Sequence, residues 1–241
     1  MNILKIFFVI VFIVLINGCI DNSKLKNEAA AKELVYKHSK AWETGDIEIL
    51  KKTKTAIASC PSANSRGAGI ARVTECLDAG IPVGVGVDGA AGNDTSNILS
   101  ELRMLRMLQG AREGVLHSYL INREERMAQE FASDVSGVSY LKIEKLWEVA
   151  TLHGARALGR EKEIGSLEPD KLADIAIFDD HNLSHAGAVF RPGAIFSCAS
   201  LRAWYVLING RVTVREGRLA TADEESIINN QNKTTKHLTQ I

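Results

Sequence analysis

Residues 55–88 of this chain read as strand, helix and strand in quick succession. Residues 55–60 (TAIASC) start as a short apolar strand, Pro61, Ser62, Asn64 and Ser65 make a loop, and 69–79 suit a helix. Gly80-Ile81-Pro82 then leads into a buried strand over 83–87. Two strands joined by a helix within about 30 residues form a βαβ unit, which implies parallel pairing. The spacing therefore predicts an α/β fold. A second helix is expected around 96–110, with Ile98, Leu99, Leu102, Leu105 and Leu108 on one side. A third runs near 142–159 through Ile143, Leu146, Trp147 and Ala150, closed by Gly159. Short strands follow over 174–178, 203–208 and 212–215, and Asn209-Gly210 between the last two is a strong two-residue hairpin turn. The tail over 224–241 is polar, lacks a period and is expected to fray.

The N-terminal end has a different texture. Residues 6–16 (IFFVIVFIVLI) are eleven apolar residues behind Lys5. A membrane-spanning helix needs roughly 20, so the run has the length of a signal-peptide core. It ends in Leu15-Ile16-Asn17-Gly18-Cys19, which resembles a bacterial lipobox, in which the leader is removed just before a cysteine that becomes lipidated. That resemblance implies a lipoprotein of the cell envelope, held to the membrane through Cys19, each buried lipid methylene adding about 0.8 kcal/mol. In residues 20–54, Ala30, Leu34, Val35, Ala41 and Trp42 recur at helical spacing, and Thr44-Gly45-Asp46 ends one helix and caps another. The string AWETGD with the apolar residues after it resembles the opening of NTF2-like domains.

Lys+Arg 29 against Asp+Glu 29 leaves a formal net charge of zero, so no global field favours nucleic acid as a partner. Cys19, Cys60, Cys76 and Cys198 form no C-x-x-C pair and suggest neither a disulfide scaffold nor a structural zinc site. Gly84-Val85-Gly86-Val87-Asp88-Gly89 satisfies G-x-G-x-x-G, but its glycines fall largely inside the strand. No acidic residue ends a following strand either, which argues against a dinucleotide site. Asp88 has two readings. As Asp-Gly it is turn chemistry, capping the next segment. At the end of a parallel-type strand it is also where α/β barrels place catalytic groups, and a carboxylate there can ligate metal or accept a proton.

Residues 58–99 (ASCPSANSRGAGIARVTECLDAGIPVGVGVDGAAGNDTSNIL) resemble the seventh and eighth strand segments of amidohydrolase-superfamily deaminases. The branch is the one with 8-oxoguanine deaminase, guanine deaminase and the triazine hydrolases. ATLHGARALG (150–159), IGSLEPDKLADIAIFD (164–179) and VLINGRVTVREGRL (206–219) agree in order, and GAVFRPGAIFSCAS (187–200) tilts the match toward 8-oxoguanine deaminase. The resemblance implies a metal-dependent hydrolase of C–N bonds, a deaminase of an aminopurine or triazine-like small molecule. Asp88 matches the strand-eight aspartate, a metal ligand and proton shuttle. Asn64 matches the asparagine of an S-N pair whose serine is Ala63 here, and Asn93 and Asp94 match the Asn-Asp after the D-G turn, where they shape the substrate loop. The family usually writes histidine where Ser59 stands.

The family holds its divalent metal, zinc or iron, with a His-x-His pair, further histidines and the strand-eight aspartate. None of His38, His117, His153, His181, His185 and His237 forms His-x-His. His181 and His185 are four apart but lie in a loop-like stretch, and His153 reads as a helix-face residue. A catalytic zinc needs about three protein ligands plus water, so Asp88 alone is not expected to retain one. A complete (β/α)₈ barrel takes about 250 residues, against roughly 165 matched here. The expected architecture is thus a partial (β/α)₈ TIM-barrel remnant, its last two strand segments, with β-strands of the accessory domain. The division is 1–19 leader, 20–54 helical segment, 55–160 barrel part, 161–223 accessory strands and 224–241 tail. It implies a truncated C-terminal fragment joined near Lys54 to a lipoprotein's start. A non-catalytic lipid-anchored envelope protein and a chimeric gene product are the alternatives. The deaminase family itself is cytoplasmic, and a second copy of the chain in a homo-oligomer is a further expected partner.

Overall fold

The computed structural model describes residues 47–120, 141–181, 183–189, 191–197 and 202–239. They belong to two compact units that divide between Ser166 and Leu167. The first contains α1 (Ile47–Lys52), β1 (Ile57–Ser59), α2 (Pro61–Ser65), α3 (Val73–Asp78), β2 (Val83–Val85) and α4 (Ile98–Leu120). After these come α5 (Ile143–Glu148), a π-helical turn (Val149–His153) and α6 (Gly154–Ala157).

β1 and β2 pair in parallel, with Ile57 opposite Val83 and Ser59 opposite Val85. The Ile57 N–H donates to the Pro82 carbonyl at 2.9 Å and the Gly86 N–H to the Ser59 carbonyl at 2.8 Å. Among the described residues the parallel sheet has these two strands and does not close into a barrel. Its core gathers Ile57, Val73, Val83, Leu102, Leu105 and Leu146, all buried. α1 leads directly into β1: Leu50 is buried, and its carbonyl accepts the Thr55 N–H at 2.9 Å.

Three elements depart from the sequence expectation. Residues 61–65 form a helical turn, α2, and not a loop, because Pro61 sits at the start of a helix, where its fixed φ fits and its missing N–H costs nothing. α4 runs on past 110 to Leu120, since Gly110 and Gly114 each weaken a helix by only about 1 kcal/mol. The third helix carries a π turn over Val149–His153, then ends at Gly159 with φ +68°.

Residues 160–166 return to this unit, beyond the expected boundary at 160/161. The Arg160 N–H bonds the Ala155 carbonyl at 2.9 Å. Gly165, at φ +93°, lies so close that an added Cβ would sit 2.7 Å from the Ala155 Cβ.

The second unit is built on an antiparallel sheet in the order β3 (Ile175–Ile177), β4 (Tyr205–Ile208), β5 (Arg211–Arg215), β6 (Arg218–Leu219). Asn209 (φ +48°) and Gly210 (φ +75°) turn β4 into β5, and Glu216 (φ +51°) and Gly217 (φ +75°) turn β5 into β6. Paired positive φ values match the twist of the flanking strands, so both turns favour hairpins. A short 3₁₀ turn (Leu183–His185) and α7 (Arg191–Ser197) lie between β3 and β4 and bury His185, Ala194 and Phe196.

The polar tail is ordered as α8 (Glu224–Leu238), with no buried residue. Asp223 caps it by accepting the Glu225 N–H at 3.0 Å. Glu224 and Glu225 lie in its first turn and Lys236 and His237 in its last, charges that suit the helix dipole. End effects, not an apolar stripe, hold this helix. No helix among the described residues is long and apolar enough to cross a membrane.

Candidate active site

The carboxyl end of β1 leads into α2, which bears Asn64, and that of β2 into the loop bearing Asp88, Asn93 and Asp94. Asp88 follows β2 at φ +63°, a left-handed backbone that aspartate tolerates better than most residues. Its carboxylate is exposed, and Oδ1 accepts the Gly89 N–H at 2.7 Å. Oδ2 lies over Gly92, where an added Cβ would approach it to 2.8 Å. Asp88 thus shapes the D-G turn, as its Asp-Gly reading expects, and presents its carboxylate to solvent.

Asn64 accepts the Cys60 N–H through Oδ1 at 3.0 Å. The buried Asn93 folds its own loop, accepting the Thr95 and Ser96 N–H groups at 3.0 and 2.8 Å. Asp94 is exposed and pairs with Arg66 at 2.6 Å. The structure thus brings Asn64, Asp88, Asn93 and Asp94 to one end of the strand pair. Cys19 lies outside the described residues.

Beside Asp88 sits the Cys60 thiol. Burial pushes its pKa up, and the nearby charges of Asp88 and Glu101 add to the effect, so it stays protonated near neutrality. An added Cβ on Gly86 would reach 3.2 Å from its sulfur. On Gly84 such a Cβ would lie 3.3 Å from the Gly154 Cα. Two glycines of the G-x-G-x-x-G string thus serve close packing. The helix after them starts only at Ile98, so the string does not build a phosphate cradle on a helix N-terminus.

Sequence reasoning missed the residue that joins these segments. Glu101, 1% exposed, accepts the Ser62 N–H at 2.8 Å, the Ser62 hydroxyl at 2.5 Å and the Asn93 amide N–H at 2.7 Å. Gln109, further along α4, accepts the N–H groups of Val73 and Thr74 at 3.2 and 3.3 Å and donates to the Ala71 carbonyl at 2.9 Å. The signal was available: both polar residues fall on the apolar stripe of Ile98, Leu102, Leu105 and Leu108.

Among the described residues, no group of three metal-type donors includes Asp88. Among the described residues, the one group of three such donors within mutual reach is the chain-adjacent set Asp179, Asp180 and His181, in the second unit. His153 is buried in the π turn, its Nε2 3.4 Å from a Glu148 carboxylate oxygen. Burial, with Arg156 and Lys145 adding positive charge, holds its pKa below the usual histidine value. His185 is buried in the second unit and His237 is exposed on α8. His38 and the side chain of His117 lie outside the described residues. A catalytic metal takes about three protein ligands, and among the described residues Asp88 is one exposed carboxylate outside any three-donor group.

The profile of the Amidohydrolase family matches residues 21–213. The chain belongs to that family. This amidohydrolase chain is 34% identical over 192 residues to 8-oxoguanine deaminase of Pseudomonas aeruginosa, covering 79% of this chain and 37% of that one. It is 30% identical over 196 residues to 5-methylthioadenosine/S-adenosylhomocysteine deaminase of Desulforudis audaxviator, covering 80% and 40%. Among solved structures it resembles atrazine chlorohydrolase from Arthrobacter aurescens complexed with zinc. There the TM-score is 0.64 at 30% identity, over 78% of this chain and 38% of that one. The chain therefore spans about two fifths of the length of these relatives. The match begins at residue 21, so it also runs through the segment with the NTF2-like opening.

Proposed function

We propose that this chain carries the C-terminal part of a hydrolytic amidohydrolase that removes an exocyclic amine from a purine-like ring. The observation that carries the reading is Asp88. Its carboxylate is exposed at the carboxyl end of a parallel strand pair, in a chain 34% identical to an 8-oxoguanine deaminase. In this reading β1 and β2 are the last two strands of a (β/α)₈ barrel, and β3 to β6 belong to the accessory domain. α/β barrels place their reacting groups at that end of their strands.

Asp88 is the proton carrier. An ionised carboxylate accepts the proton of an attacking water and returns it to the departing amine, the general acid–base role. The Gly89 N–H fixes one oxygen and leaves the other free for that exchange. Zinc-complexed relatives point to a divalent metal in the family. Asp88 is the one ligand of that metal carried over onto the described residues. The substrate in this reading is an aminopurine or triazine-like base, the class named for the 8-oxoguanine deaminase and atrazine chlorohydrolase relatives.

The test is reconstruction. Residues 55–220 replace the matching segment of a complete 8-oxoguanine deaminase, and ammonia release is followed from 8-oxoguanine, guanine and a hydroxytriazine. Activity on 8-oxoguanine that disappears with Asp88→Asn is the expected result. A folded, metal-loaded hybrid that ignores all three rings overturns the substrate class. The chain alone is expected to release no ammonia and to bind no stoichiometric zinc or iron. Elemental analysis showing about one metal per chain, lost in Asp88→Asn, would reverse that.

A second reading rests on Leu15-Ile16-Asn17-Gly18-Cys19: lipidation of Cys19 places the chain at the envelope membrane. Incorporation of labelled lipid, abolished by Cys19→Ser, is the expected result, and no incorporation into the wild type ends it.

A further inference from the structure

A carboxylate inside a protein is stable only where hydrogen bonds replace its water. Glu101 meets that condition without a cation: its three bonds come from neutral donors, two from Ser62 and one from Asn93. The donors belong to different segments. Ser62 lies in α2, directly after β1, two residues from Asn64. Asn93 lies in the loop after β2, five residues beyond Asp88. Sequence separations of 39 and 8 residues meet in one side chain.

The bonds continue outward from there. Asn93, held by Glu101, accepts the Thr95 and Ser96 N–H groups. Ala63, between Ser62 and Asn64, comes within 3.2 Å of where a Cβ on Gly92 would lie, and Gly92 in turn underlies the Asp88 carboxylate. Gly92 thus lies between Ala63 of α2 and the Asp88 carboxylate. Glu101 holds the two residues beside that arrangement, Ser62 next to Ala63 and Asn93 next to Gly92.

We propose that Glu101 is the positioning residue of this site: it ties α2, which bears Asn64, to the loop bearing Asp88 and so sets the place of the Asp88 carboxylate. The assignment rests on the reading of Asp88 given above. Glu101 is buried, so its part is to hold Ser62 and Asn93 and not to touch substrate.

The experiment follows backbone amides of the full chain by NMR. Cys60 N–H reports Asn64, Ser96 N–H reports Asn93, and Gly89 N–H reports Asp88. In Glu101→Ala, hydrogen exchange at Ser62 and Ser96 should quicken about tenfold, the factor for a loss near 1.4 kcal/mol, and the Gly89 cross-peak should move. Glu101→Gln keeps one acceptor oxygen and should restore the Ser62 amide in part. Leu105→Ala on the same helix lowers stability without touching these bonds, and should leave the Gly89 and Cys60 cross-peaks in place. Should Glu101→Ala fail to fold, Ser62→Ala removes one donor and must still move the Gly89 cross-peak. A Gly89 cross-peak unmoved in every folded variant of Glu101 and Ser62 overturns the proposal. These amides answer whether or not the chain turns over a purine. A hybrid without ammonia release but with moved cross-peaks sinks the deaminase reading alone, and the converse sinks only the role of Glu101.

Discussion

The two units use polar groups in opposite ways. In the first, Glu101 and Gln109 are buried and bond backbone far away in sequence, so the polar side chains are part of the core. In the second, the polar ties are exposed: Asp174 accepts the Asn209 N–H at 2.7 Å, and Glu224 accepts the Leu219 N–H at 2.8 Å. Its shape comes from two hairpins whose turns are written in adjacent residues. A buried polar group left unpaired loses its full solvation, whereas an exposed one exchanges its partner for water. The first unit should therefore be brittle toward loss of a single partner and the second forgiving, apart from its turns.

The largest effect tests the separateness of the two cores. Leu102 is fully buried in the first unit, and Leu102→Ala should cost about 3 kcal/mol. Amide exchange should quicken through β1, β2 and α4 while β4 and β5 keep their protection. Equal loss in both sheets would show one cooperative body.

Next is the polar core itself. Gln109→Ala strips the Val73 and Thr74 N–H groups of their acceptor and should cost about 2 kcal/mol. The urea midpoint should fall with an unchanged slope. A loss below about 0.5 kcal/mol, the level of a surface substitution, would remove the contrast between the units.

Gly210→Ala probes the second unit at its turn. Nothing lies within 4 Å of the added Cβ, so only the φ of +75° opposes it. A cost of about 1 kcal/mol, confined to the β4–β5 amides, is expected.

The smallest effect is a pH slope. The folded pKa of His153 lies below 6.5, so on acidification the unfolded chain takes up its proton first. The stability this histidine contributes is complete above pH 6.5 and is lost as pH falls through the lowered folded value. His153→Gln should flatten the slope of the melting temperature in that window. Glu75 adds the same sign at lower pH: burial raises its pKa, but its own backbone N–H, Arg72 and Arg112 together bring it below 4.5. An Arg112→Leu variant should therefore lose part of the fall seen near pH 4, on the scale of the linkage for one carboxylate.

Much of this architecture was legible in the residues alone. Thr55 to Asp88 already implied a parallel pair, because a helical crossover returns the second strand in the direction of the first. Asn209-Gly210 implied the β4–β5 hairpin, because both residues accept positive φ. Four ordered motifs pointed to the amidohydrolase family. The helix over 224–238 was not legible, since its stabilising groups sit at its ends and periodicity does not register them.

Periodicity marked Leu99, Leu102 and Leu105 of α4 as inward-facing, though Ile98 at its start is exposed; it could not say that Glu101 and Gln109 are buried or what they meet there. Each bonds residues more than 30 positions away, so the partner depends on how loops and helices pack. The same holds for Gly84, which looked like part of a phosphate loop and is instead the clearance that lets β2 pass the Gly154 backbone. Sequence alone implied strand direction and turn type, which residues close along the chain govern. Only the tertiary structure decided which buried polar group satisfies which loop, because hydrogen bonds act over about 3 Å and the chain brings these residues that close only when folded.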